Sequence, residues 1–217
     1  MSNSAVIDLL GVLAFGELVA FERTATDATF APTVADKITL GKMATREFEH
    51  YEAISARIVA LGADPIEAMQ PFVQPLTDFH NTMKPNDWYE GLLKAYVGDG
   101  ITADFYREVS AFLDGETAQL VEKVLSDVGI ADFVVSRIKE ATADDPKLAG
   151  RLALWGRRLM GEMISQASIV ANARPQLASL FVASPNSNTP DLEELSTLVG
   201  RLTARHSLRM EAIGLAA

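Results

Sequence analysis

A glutamate and a histidine three positions apart, Glu47 and His50, are the residues in this sequence best suited to metal chemistry. Met43, Ile54 and Ile58 continue the same spacing of three or four, so these side chains share one face of a helix. Burying a carboxylate without compensation costs several kcal/mol, and a bound cation is a common way to offset that cost. The pair therefore indicates a buried metal-ligating site.

Three further helical segments each carry one acid on an apolar face. These acids are Glu17, Asp99 and Asp127. Glu17 precedes Glu47 by 30 residues and Asp99 precedes Asp127 by 28, so each pair comes to a similar height on neighbouring antiparallel helices. The same order of acids in both halves of the chain indicates a diverged internal repeat. It predicts one shared site with the metal ligands Glu17, Glu47, His50, Asp99 and Asp127.

Two alternatives remain open on the sequence alone. Glu22 would face inward in place of Glu17 if the first helix were rotated, although Phe21 and other apolar neighbours favour Glu17. The acids could also form a relic site, neutral or hydrogen-bonded to tyrosine and histidine. The other two histidines are expected outside the site, with His80 exposed in a crossover and His206 on a solvated face among arginines.

The elements that position these residues are long helix-period segments separated by proline and glycine. Residues 62–87 hold four of the nine prolines and are expected to form a crossover with at most one short helical turn. The predicted helices span residues 4–30, 33–61, 88–113, 116–142 and 146–173, and a last one follows the linker at 184–190. Two helical hairpins joined by a long crossover are the connectivity of ferritin-like bundles. We therefore expect an all-α ferritin-like four-helix bundle with additional C-terminal helices, divided into a bundle at 1–175 and a linker and helix at 176–217.

Specific motifs resemble a known superfamily. The run Gly16-Glu17-Leu18-Val19-Ala20, followed by Glu47-x-x-His50, resembles the ferritin and rubrerythrin superfamily of di-iron carboxylate proteins. Residues 94–100 and 151–158 resemble an actinobacterial group classed as similar to the tRNA hydroxylase of 2-methylthio-isopentenyl adenosine. The resemblance covers most of residues 4–172. It implies one or two iron ions as cofactor, oxygen-dependent hydroxylase or oxidoreductase activity, and a small-molecule or modified-base substrate.

The chain departs from that family pattern in its second half. The pattern has a glutamate in helix three, where this chain has the shorter Asp99. In helix four the pattern is Glu-x-x-His, whereas this chain has Asp127 followed by Ile130, which cannot coordinate a metal. We therefore expect a partly degraded di-metal site with at most one strongly held metal. The alternative is a non-catalytic helical binding or structural protein.

Composition narrows the remaining function classes. The 217 residues carry a net charge of −10, which argues against binding of nucleic acid through an extended basic surface. Binding of tRNA is therefore implied only by the family resemblance. There are no cysteines, so disulfides and thiolate chemistry are excluded. We expect no signal peptide, no membrane span and a cytoplasmic location. Surplus apolar stripes on the last two helices predict a homodimer.

The absent histidine generates a first prediction. Ile130→His should raise metal uptake, because it restores the nitrogen donor that the family pattern has at this position. Elemental analysis of wild type and variant after identical incubation with iron checks this. Equal metal content in the two proteins would contradict the assignment of position 130 to the site.

Overall fold

The computed structural model describes residues 3–109, 113–125, 129–178 and 192–216, and this part of the chain is helical with no strand. The all-α class is thereby confirmed. The helices are α1 Asn3–Asp27, α2 Val34–Ala60, α3 Pro65–Met69, α4 Val73–Thr82, α5 Trp88–Val109, α6 Gly115–Leu125, α7 Gly129–Thr142, α8 Pro146–Ala173, α9 Pro175–Ala178 and α10 Leu192–Ala212. The predicted fourth helix corresponds to α6 and α7, and residues 126–128 lie outside the described residues.

The first two helices form a tightly packed hairpin. Between them a short 3₁₀ turn, Ala28–Phe30, leads to Thr33, which caps α2. The Thr33 hydroxyl accepts from the Asp36 backbone N–H at 3.1 Å and donates to the Asp36 carboxylate at 2.7 Å. This reciprocal cap stabilises the start of α2. The hairpin therefore holds the acids of α1 against those of α2.

The crossover contains more helix than predicted. Residues 62–87 include α3, a 3₁₀ turn at Gln70–Phe72 and α4, where at most one short turn was expected. The expectation was wrong because prolines are tolerated in the first turn of a helix, where the missing N–H has no partner to lose. Pro65 follows the capping residue Asp64, whose carboxylate accepts from the Ile66 N–H at 2.7 Å. Pro75 likewise falls in the first turn of α4.

Apolar side chains form two core clusters, one toward each end of the α1–α2 hairpin. One includes Leu9, Leu10, Ile54, Ile58 and Phe72, and the other includes Leu40, Leu93, Val97, Trp155 and Met210. On α1 and α2, the positions between these clusters carry Glu17 and Glu47, both buried. The polar residues therefore interrupt an otherwise apolar interior.

The last helix is part of this interior. Leu198 and Leu202 of α10, and Ile213 just after it, are buried in the same cluster as Leu152 and Trp155 of α8. Helix α10 packs on both α5 and α8. The apolar stripes that suggested a dimer therefore cover one another within one chain. The homodimer stays a prediction, but the apolar stripes no longer support it. The division of the chain at residue 175 also stays a prediction.

The first helix is unusually apolar. The segment Asn3–Phe30 is long and apolar enough to cross a membrane by length and composition. Half of its apolar window is buried inside the protein, and α1 packs along α2. A core helix passes the same test, so this feature is weak evidence for a membrane, and the cytoplasmic location stays a prediction.

A close approach of α1 to α3 provides a stability test. A Cβ added at Gly11 would lie 2.2 Å from the backbone oxygen of Ala68, whereas one added at Gly41 would meet nothing within 4 Å. Gly11→Ala should destabilise the protein by about 1–3 kcal/mol through overpacking. Gly41→Ala, the matched control in α2, should stabilise it by up to about 1 kcal/mol through helix propensity. Urea unfolding measures both, and equal midpoints would contradict the packing of α1 on α3.

Candidate metal centre

Glu17 of α1 and Glu47 and His50 of α2 converge on one point between the two core clusters. The Nδ1 atom of His50 lies 3.5 Å from Oε2 of Glu17 and 3.8 Å from Oε2 of Glu47. One potential ligand atom from each of the three side chains lies within 4.8 Å of the others. Glu17 and Glu47 are 9% and 7% exposed, whereas Glu22 is exposed. Of the two candidates Glu17 and Glu22, Glu17 is thus the one that faces inward.

The other buried carboxylates in the described part of the chain are paired with arginines. Four ion pairs account for them: Asp8–Arg174, Asp36–Arg137, Glu90–Arg151 and Asp104–Arg209. Glu17 and Glu47 differ, because the basic group beside them is His50. Two buried carboxylates that share one imidazole are short of positive charge. A divalent cation would supply it.

The pKa values of His50 and Glu47 reflect that shortage of positive charge. Hydrogen bonding to Glu17, and next to Glu47, raises the pKa of His50 to about 10. Burial raises the pKa of Glu47 to about 7, an effect that His50 opposes and Glu17 reinforces. In the absence of metal, a proton on His50 therefore supplies the positive charge. A metal ion must displace that proton to bind the imidazole nitrogen.

Asp99 of α5 lies near this centre but outside the three-residue group. Its side chain is exposed by accessible surface, yet protein surrounds it closely enough that burial raises its pKa well above the usual range, and Glu47 raises it further. His50 and Arg209 lower that pKa. Asp99 is thus exposed to solvent and still within range of the charge on Glu47. The structure thus brings Asp99 close to the predicted ligands without placing it among them.

The remaining predicted ligand, Asp127, lies outside the described residues, as does the side chain of Ile130. Tyr106 of α5, predicted as a core aromatic, is 3% exposed. Burial, and after it the charge of Glu17, raises the pKa of Tyr106 well above its usual range. Tyr106 therefore places a neutral hydroxyl group in the surroundings of Glu17.

Arg209 of α10 is a residue that the sequence analysis missed. Its guanidinium pairs with Asp104, lowers the pKa of Asp99, and passes over Gly100, where a Cβ would lie 2.0 Å from its Nε. The Tyr96 hydroxyl donates to the backbone oxygen of Arg209 at 3.3 Å. The only sequence signal was a glycine beside Asp99, which leaves room for a side chain from another helix.

Two histidines lie elsewhere than expected. His206 was placed on a solvated face, but it is 3% exposed and neither ring nitrogen has a hydrogen-bond partner among the described residues. Burial, together with Arg209, lowers the pKa of His206. His80 was expected to be exposed, but it is partly buried and its Nδ1 also lacks a partner. Both expectations failed because the crossover and α10 pack on the bundle.

Comparisons with known proteins agree with the fold. A family model for a ferritin-like domain of actinomycetes matches residues 1–184. A solved structure described as protein 19 with aldehyde deformylating oxidase activity from Synechococcus is similar, with a TM-score of 0.71 and 18% sequence identity. That match covers 100% of this chain and 95% of the other. The comparison with curated proteins gave no match.

The charge on His50 is directly measurable. In metal-free protein at pH 8, the His50 imidazole should carry both ring protons, since its pKa is raised to about 10. His80 and His206 should each carry one, because their pKa values are lowered. Long-range ¹H–¹⁵N NMR distinguishes these states. Protonation of His50 should stabilise the fold fully below about pH 6.5, and this contribution is lost as the pH rises through about 10.

Replacing Glu17 by glutamine should lower the pKa of His50, because the largest contribution to its shift comes from Glu17. Glu49→Gln is the matched control, since Glu49 is exposed on α2 and should leave the His50 titration unchanged. A wild-type His50 that loses its proton near pH 6.5 would contradict the geometry described above.

Proposed function

The chain belongs to the family of actinomycete ferritin-like domains, and from that premise we propose that it binds one iron ion at Glu17, Glu47 and His50 and acts as an oxygen-dependent oxidoreductase. The observation that carries the proposal is the convergence of these three side chains, with ligand atoms within 4.8 Å, where Glu17 and Glu47 are buried beside His50. The ferritin-like fold and the cluster that could hold a metal are independent of whether the protein has oxidoreductase activity.

The donor set fits iron. Carboxylate and imidazole ligands together suit iron, manganese and zinc, and the ferritin-like bundle supports iron among these. A divalent cation between Glu17 and Glu47 would offset the burial that raises the pKa of Glu47 to about 7. The site has carboxylate oxygens and one nitrogen, which is enough for one ion. When bound, iron supplies the ability to react with dioxygen.

The protein's own residues have separate tasks in this proposal. Glu17 and Glu47 bind the ion and balance its charge, and His50 supplies the nitrogen after losing its proton. Tyr106 keeps a neutral hydroxyl near Glu17, because burial holds its pKa high. The two apolar clusters border the centre on either side. Asp99, which is both exposed and close to Glu47, marks the entry for ions and substrate.

The substrate we propose is a small, largely apolar molecule. The solved neighbour carries aldehyde deformylating oxidase activity in its title, and the tRNA hydroxylase resemblance would imply a hydrophobic modified base. The net charge of −10 disfavours binding of an intact tRNA. A free small molecule that enters beside Asp99 is compatible with these observations.

A second candidate function is a non-catalytic helical protein with a relic site. Arg209 favours it, because this arginine places a permanent positive charge in the half of the bundle where a second metal would be expected. Asp104 then has a protein cation as counterion. This arrangement limits the site to one ion in either function, and only the oxygen chemistry separates the two.

The experiment is anaerobic loading with ferrous iron followed by exposure to oxygen. Wild-type protein should retain about one iron per chain, measured by elemental analysis, and should then consume oxygen in the presence of a reductant. Glu47→Gln should lose most of the iron, because it removes a charged ligand. Retention should also fall steeply below neutral pH, as protons compete for His50 and Glu47.

Glu49→Gln again serves as the control, since it changes the same residue type on the exposed face of α2. It should match wild type in iron content and oxygen uptake. Iron binding without oxygen uptake would favour the non-catalytic candidate. Two tightly held irons per chain would contradict the one-ion site, and no iron at all would refute the proposal.

A further inference from the structure

A second group of polar side chains lies beyond the metal centre, toward the C-terminal end of α1. It consists of Arg23 of α1, His80 of α4 and Lys94 of α5, which we call the basic cluster. Arg23 follows Glu17 by six residues, about 9 Å of helix rise. Asp27, one turn further along α1, is the acid whose charge acts on Lys94. Helices from three parts of the chain thus bring basic groups to one place.

The basic cluster contains hydrogen-bond donors without acceptors. Lys94 is 8% exposed, and its ammonium donates to the backbone oxygen of Met83 at 2.7 Å and lies 5.3 Å from the Phe79 ring centroid. Nε of Arg23 and Nδ1 of His80 are both buried and have no hydrogen-bond partner among the described residues. Buried polar atoms are normally paired. The unpaired Nε–H of Arg23 beside a buried ammonium indicates that an acceptor is missing, and the neutral His80 ring can offer one further N–H to it.

Positive charge is in excess at the same place. Arg23 and Lys94 are both cations, and one nearby acid, Asp27, opposes them. Burial raises the pKa of Asp27, whereas Lys94 and then Arg23 lower it. Burial, followed by Arg23, lowers the pKa of Lys94 to about 8. Burial, and then the charges of Lys94 and Arg23, lowers the pKa of His80 to about 3. The cluster is therefore the reverse of the metal centre, where negative charge is in excess.

We propose that the basic cluster binds an oxyanion, the carboxylate or phosphate group of a small molecule, through Arg23, Lys94 and His80. A guanidinium offers planar paired donors suited to such groups, and an ammonium adds a compact charge with three donors. The anion accepts from Nε of Arg23 and from a ring N–H of His80, and it balances the excess charge. Arg23 and His80 are each partly exposed, which leaves a route from solvent.

This anion site does not rest on the proposed oxidoreductase function, because none of its residues belongs to the metal centre. The short distance along α1 does allow one small molecule to present its anionic group to the basic cluster and its apolar part toward Glu17. A medium-chain carboxylate such as octanoate is therefore a suitable probe beside inorganic phosphate.

The test is isothermal titration calorimetry of the full chain as purified, with inorganic phosphate in one series and octanoate in the other. Wild type should bind one anion per chain. Arg23→Gln and Lys94→Met should each weaken binding at least about tenfold, the effect of losing a hydrogen bond to a charged group. Lys42→Met is the control, because it removes a lysine that is exposed on α2, and it should bind as wild type does. Tighter binding of phosphate or of octanoate identifies which oxyanion the cluster prefers.

The inference is overturned if wild type binds neither probe at millimolar concentration. It is also overturned if both variants bind as tightly as wild type. If Lys94→Met does not fold, Arg23→Gln decides the matter alone, since it leaves the Lys94 hydrogen bond to Met83 in place. Glu47→Gln should still bind the anion after losing iron, so the two sites can fail separately.

Discussion

Placing the carboxylates of Glu17 and Glu47 side by side inside an apolar bundle costs free energy that one shared imidazole offsets only in part. Burial of apolar side chains in the two core clusters offsets the rest of this free-energy cost. The α1–α2 hairpin holds the two acids together. The other buried acids of the described chain have arginine partners. The deficit of positive charge is therefore local, and a cation held by this cluster would offset it.

The second half of the bundle meets a similar problem in a different way. Arg209 of α10 passes over Gly100 and pairs with Asp104 of α5, and its charge also lowers the pKa of Asp99. A protein cation is permanent and needs no supply of metal, but it cannot react with oxygen. The first half thus has a carboxylate and histidine cluster that could hold a metal, and the second half has an Arg209–Asp104 ion pair. This division explains how a ferritin-like bundle can keep its fold while its second ligand set departs from the family pattern.

Fold similarity alone does not identify the substrate of this protein. At 18% identity, the solved neighbour and this chain share an architecture, and nothing about their substrates follows from that alone. The local charge balance is more informative. It is negative at the carboxylates and positive at the basic cluster roughly two helical turns away along α1. Opposite imbalances at this spacing are what a site for an anionic, partly apolar molecule and a metal ion would need.

The sequence by itself determined the long helices and the grouping of Glu17, Glu47 and His50. Helical periodicity assigns Glu47 and His50 to one face, and the separation of 30 residues places Glu17 at their height, because both depend on local geometry. It did not determine how α10 docks, that Arg209 pairs with Asp104, that His206 is buried and His80 partly buried, or that the crossover is helical. These features depend on contacts between distant segments, such as Asp104 with Arg209 and Asp8 with Arg174. Periodicity shows which face of a helix is apolar, but the shape and charge of the packed partners decide which helix covers it.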